Sequence, residues 1–170
     1  MFSLELAALL HDIADHKFND GDEEVGPRAA RQWLEGLNVD NAVIEHVEDI
    51  IRNVSFKGAN VETKLNTIEG KIIHDADKLD AIGAIGIGRT FAYGGMKGRP
   101  MYDPDIEAEL HDTFEAYKKS NGPTLNHFYE KLLLLKDRMF TETGKEIARQ
   151  RHDYMEGFLK EFLEEWEGRL

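Results

Sequence analysis

The sequence predicts an all-α protein, and three features carry that expectation. Apolar residues recur at three- and four-residue intervals in several segments, those segments are bounded by capping residues and Gly or Pro breaks, and no stretch shows the alternation of a strand. The 170 residues are 41% hydrophobic and 32% charged, a globular composition that we expect to form one domain over residues 1–170.

Taken in order, the apolar run Leu4–Ala14 predicts an opening helix that carries His11-Asp12. Asn19-Asp20-Gly21 is a turn signal. A second helix is expected over about residues 23–37, with Val25, Ala29, Ala30, Trp33 and Leu34 on its apolar side and Pro27 in its first turn, where the missing N–H costs little. Asp40 is placed to cap a third helix carrying Val43, Ile44, Val47, Ile50 and Ile51. A long helical segment starts near Asn66 and brings Ile68, Ile72, Ile73, Ala76, Leu79 and Ile82 to helical intervals. Residues 95–105 read as an exposed loop, followed by a weakly amphipathic helix over about 106–119. Thr124 is expected to cap the next helix, with Phe128, Leu132, Leu133 and Leu135 buried. The last helix, about 143–167, aligns Ile147, Tyr154, Phe158, Phe162 and Trp166.

Composition also excludes some chemistry. With no cysteine, disulfides, thiolate metal sites and cysteine nucleophiles are absent, which fits a reducing, cytoplasmic setting. A net charge of −12 argues against a nucleic-acid backbone as partner. It leaves room for a small phosphorylated substrate, because a bound metal and a few local cations invert the field. No apolar stretch is long enough for a membrane span.

Two clusters carry candidate chemistry. His11, Asp12 and Asp15 follow an apolar run, and on a continued helix His11 and Asp15 share a face, where an imidazole and a carboxylate suit a divalent metal or a proton; the same residues also suit a solvated helix end. His74-Asp75 with Asp77, Lys78 and Asp80 is dense charge on an otherwise apolar segment, although Asp75 and Asp77 point about 200° apart on a helix. Gly83, Gly86 and Gly88 have neither the dinucleotide nor the P-loop spacing and read as close helix packing.

The phrases ELAALLHDIADHKF, VSFKG, TIEGKIIHDADKLDAIGAIGIGRTFAYGG and NHFYEKLLLLKDRM resemble the HD-domain phosphohydrolases, and within them the YpgQ/YedJ-like branch, from Leu4 to Trp166. The resemblance implies an all-α HD-domain helical bundle with one divalent metal (Mn²⁺, Mg²⁺, Co²⁺ or similar) in an H…HD…D pattern. Carried onto this chain, the ligands are His11, Asp12 and Asp77. It implies a nucleotide substrate, a nucleoside triphosphate split to monophosphate and pyrophosphate. Asp15 is the candidate general acid/base; Lys78, Lys57 and Arg89 are the candidate phosphate contacts. Ile50-Ile51-Arg52-Asn53 lacks the extra histidines of two-metal relatives, so a mononuclear site is expected. The family's first metal histidine belongs to a helix before Met1, so the chain is expected to lack that helix and ligand; His16, His46 and His74 are possible substitutes. The competing expectation is therefore a weakened or inactive HD-fold module that binds nucleotide or dimerises through its C-terminal helix.

Overall fold

The computed structural model describes residues 1–14, 19, 21–56, 61, 63–110 and 122–169. Among them are seven α-helices, one 3₁₀ helix and no strand. The chain divides into two compact units: the described residues of 1–56 and 62–74, and those of 57–61 and 75–170.

In the first unit, α1 (Phe2–Leu10) buries Leu6, Ala7 and Leu10. It stops four residues short of the expected end, so His11 is its C-cap and Asp12–Ala14 lie in a turn. The reason is local. His11 Nδ1 lies 2.9 Å from the Ala8 carbonyl, and an acid at position 12 opposes the negative end of the helix dipole. The helical spacing invoked for His11 and Asp15 therefore does not apply, and Asp15 itself is outside the described residues.

Helix α2 (Val25–Gly36) buries Gly26, Pro27, Ala30 and Leu34, whereas Trp33, expected on the apolar side, is half exposed. Its end is set by Asn38 rather than Gly36. Asn38 adopts φ 56°, which lets Val39 N–H reach the Leu34 carbonyl at 3.1 Å. Helix α3 (Asn41–Val54) starts as expected, with Asp40 accepting a bond from Ala42 N–H at 2.9 Å. Its Ile44, Val47, Ile50, Ile51 and Val54 join Leu6, Ala7, Leu10, Ala30, Leu34 and Ile73 in one buried cluster. Two arginines tie α2 to α3: Arg31 spans to Glu48, its Nε 3.0 Å from Oε1, and Arg52 grips both oxygens of Glu24 at 2.9 Å, holding that carboxyl below its ordinary range.

Helix α4 (Ile68–Asp80) runs unbroken from one unit into the other. In the first, Thr67 Oγ1 accepts from Gly70 N–H at 3.2 Å and meets His46 Nε2 at 3.0 Å.

The second unit contains a helix that the glycine run concealed. Residues Gly83–Met96 form α5, entered through Gly83 at φ 80°. A Cβ on Gly86 would fall 2.2 Å from the Ala81 carbonyl, so this turn needs glycine for close backbone approach. The loop after α5 extends through Leu110, and residues 106–110 are not helical; the rest of the helix expected over 106–119 lies outside the described residues. The helix expected after Thr124 is broken into α6 (Asn126–Glu130) and a 3₁₀ helix (Leu132–Arg138), divided at Lys131 with φ −143° and ψ −60°. Thr124 makes no cap bond to α6; it is buried, its hydroxyl against Gly94 of α5. Phe128, Leu132 and Leu135 are buried as expected, while Leu133 is only partly so.

Helix α7 (Glu142–Trp166) buries Gly144, Ala148, His152, Met155 and Leu159. Its aromatic side stacks Phe158, Phe162 and Trp166, with Phe91 and Phe128 against Phe158 at 5.9 and 6.0 Å. Tyr154, expected in that stripe, is exposed. The start of α7 is held by a residue of α4. Asp75 is buried, its Oδ1 accepting from Phe140 N–H at 2.9 Å and its Oδ2 from Thr141 N–H and hydroxyl at 2.8 and 2.7 Å. The Thr141 hydroxyl in turn accepts from Gly144 N–H at 3.0 Å.

Asp75→Ala strands these donors and is expected to lower the unfolding free energy by about 2–4 kcal/mol. Gly144→Ala puts a methyl 2.4 Å from Asp75 Oδ2 and is expected to cost about 1–3 kcal/mol. Urea-denaturation midpoints check both, and an unchanged midpoint for Asp75→Ala would show that the cap is not stabilising.

Candidate metal centre

The HD pair sits where α1 ends, and that placement prepares His11. A carbonyl oxygen can only accept, so the 2.9 Å contact with Ala8 puts the imidazole proton on Nδ1 and leaves Nε2 with its lone pair. Nε2 faces Asp12, 3.5 Å from its Oδ2. The His11 side chain is 24% exposed and that of Asp12 80%, so the pair is open to a solute.

The pair offers a nitrogen lone pair and a carboxylate, donors that suit a divalent cation of the Zn²⁺, Mn²⁺ or Mg²⁺ type. Asp77, the third ligand that the resemblance implies, lies on α4 one helical turn beyond Ile73 and on the same face.

The second acidic cluster resolves into separate tasks. Asp75 caps α7, Asp77 pairs with Lys78, and Asp80 pairs with Arg89. Lys78, expected to meet phosphate, is 3% exposed with its ammonium 2.7 Å from Asp77 Oδ2. That cation offsets part of the repulsion between neighbouring carboxylates. Arg89 is exposed beside Asp80. Asp15 and Lys57 lie outside the described residues, as does His16. His46 is engaged with Thr67, and His74 is fully buried on α4.

One contributor was missed in the sequence. At Gly26, α2 passes so close to the turn after the HD pair that a Cβ would lie 3.1 Å from the Ala14 carbonyl. The sequence signal was a glycine beside Pro27 at a helix start, which by itself reads only as a boundary.

The chain is similar to known proteins along most of its length. Residues 2–82 match the HD domain family. The chain is 37% identical over 163 residues to Bacillus subtilis YpgQ, an alignment covering 95% of this chain and 71% of that protein. A crystal structure of an HD-superfamily hydrolase from Bacillus thuringiensis aligns with a TM-score of 0.69 and 48% identity, covering 98% of this chain and 74% of the other. The structure of B. subtilis YpgQ in complex with ADP aligns with a TM-score of 0.69 and 32% identity over 96% and 75% of the two chains. No helix among the described residues is long and apolar enough to cross a membrane. With its helical fold and its His-Asp pair at the end of α1, this chain belongs to the HD-domain phosphohydrolase family, in the YpgQ-like branch.

Proposed function

We propose that this chain is a metal-dependent phosphohydrolase that converts nucleoside triphosphates to monophosphates and pyrophosphate. The observation that carries the reading is the His11-Asp12 pair at the end of α1, with the His11 Nε2 lone pair 3.5 Å from the Asp12 carboxylate, in a chain of the HD family. Support for a nucleotide substrate comes from the ADP held by YpgQ, a relative along most of this chain.

In this reading His11 ligates through Nε2, and Asp12 and Asp77 each supply a carboxylate oxygen. Bound there, the cation supplies Lewis-acid polarisation of a phosphoryl oxygen and makes water more acidic. Water adds to the α-phosphorus as the bond to the pyrophosphate oxygen breaks. Asp15 takes the proton of that water, as the acid that follows the HD pair. Lys78, 2.7 Å from Asp77, orients that carboxylate and, with Lys57 and Arg89, balances the triphosphate charge.

Pyrophosphate release from a panel of nucleoside triphosphates with Mn²⁺ tests the reaction. Asp12→Ala is expected to reduce release by about 100-fold or more, as loss of a site acting as a unit does, and EDTA to abolish it in the unaltered chain. Nucleotide binding without any release that Asp12→Ala removes would instead identify a binding module. The ligand assignment has its own check in ¹⁵N-detected histidine NMR at pH 8. His11 is expected to show the Nδ1–H tautomer without metal, with its Nε2 resonance shifting when Zn²⁺ is added. An Nε2–H tautomer, or no shift, removes His11 from the set.

A further inference from the structure

The second unit has a cleft of about 310 Å³ between the 3₁₀ helix and the first turns of α7, lined by Lys136, Asp137, Met139, Lys145 and Arg149. Three cations against one acid is an unusual balance in a chain whose net charge is −12. The three are not equally occupied. Lys145 is neutralised by Glu142 at 2.7 Å. Arg149 is exposed and makes no hydrogen bond or ion pair with a described residue.

Lys136 is partly buried, and its ammonium meets an imidazole, His152 Nε2, at 3.1 Å, with no carboxylate ion pair among the described residues. Partly buried ammonium groups are ordinarily matched by an anion, because desolvation without a counter-charge is costly. His152 reinforces the point. It is 5% exposed, and its Nδ1 has no hydrogen-bond partner among the described residues. Its Nε2 is shared between Lys136 and the Glu156 carboxylate, 3.3 Å away. Among the described residues the cleft wall thus combines a lysine with no carboxylate ion pair, an arginine with no hydrogen bond or ion pair, and a histidine beside that lysine.

We propose that this cleft binds a phosphoryl anion, with Lys136 and Arg149 as its principal contacts. The guanidinium offers two parallel N–H donors to one tetrahedral oxyanion, and the partly buried ammonium adds a point charge weakly screened by water. Phosphate-bearing ligands fit this pairing better than a lone carboxylate, which one fork already satisfies. The site shares no residue with His11, Asp12 and Asp77, and its existence does not depend on the reaction proposed above.

Isothermal titration of the full chain with inorganic phosphate and with pyrophosphate, in EDTA so that no metal contributes, tests the assignment. Saturable binding of at least one of them is expected, weakened about tenfold or more in Arg149→Glu and about fivefold or more in Lys136→Met, in line with loss of charge-assisted bonds. Asp12→Ala should bind as the unaltered chain does. Arg149 is exposed, so its reversal tests the cleft without disturbing packing. The proposal is overturned by the absence of saturable binding, by undiminished affinity in Arg149→Glu, by acetate binding as tightly as phosphate, or by loss of binding in Asp12→Ala, which would move the anion to the His11 cluster.

Discussion

The second unit is organised around a carboxylate that is buried yet fully engaged. Asp75 takes two backbone N–H groups and a hydroxyl from the entrance of α7, placing a negative group where the helix dipole and its unpaired amides most favour one. Four residues later the contact is repeated in the opposite sense, as the Arg151 guanidinium of α7 donates to the Leu79 carbonyl at the end of α4. Between these two points, α4 has little freedom to rotate. Asp77 is therefore presented at a fixed angle, and Lys78 is folded against it rather than extended into solvent.

Much of this was legible in the residues, and what was not has physical reasons. Helix α3 could be read almost to the residue, because a strong cap at Asp40 and a regular apolar stripe point to the same element. Helix α5 was hidden because three glycines in six residues lower helix propensity; the close approach at Ala81 accounts for Gly86 and a positive φ for Gly83, while Gly88 faces open space. Trp33 and Tyr154 were placed inward by spacing alone, which identifies a face but not whether anything covers it.

The metal centre shows a different limit. His11 and Asp77 are 66 positions apart, and no periodicity joins them; the family resemblance alone paired them. The role of Asp75 was invisible for the same reason, since its partners lie 65 and 66 residues downstream. Net charge misled in another way. An average of −12 says nothing about where cations gather, and the lining of the cleft beside α7 runs against the sign of the whole.

The distance in sequence between Asp75 and Thr141 also orders events during synthesis. Chains grow from the N-terminus, so α4 leaves the ribosome well before the amides that will surround its carboxylate exist. Until residue 141 has emerged, Asp75 keeps its hydration, and the C-terminal half of α4 has no reason to leave water. The early helices can gather around their own apolar cluster in that interval. Only once the Phe140–Thr141 pair is present can the entrance of α7 surround Asp75, so the last long helix among the described residues completes an element made near the middle of the chain.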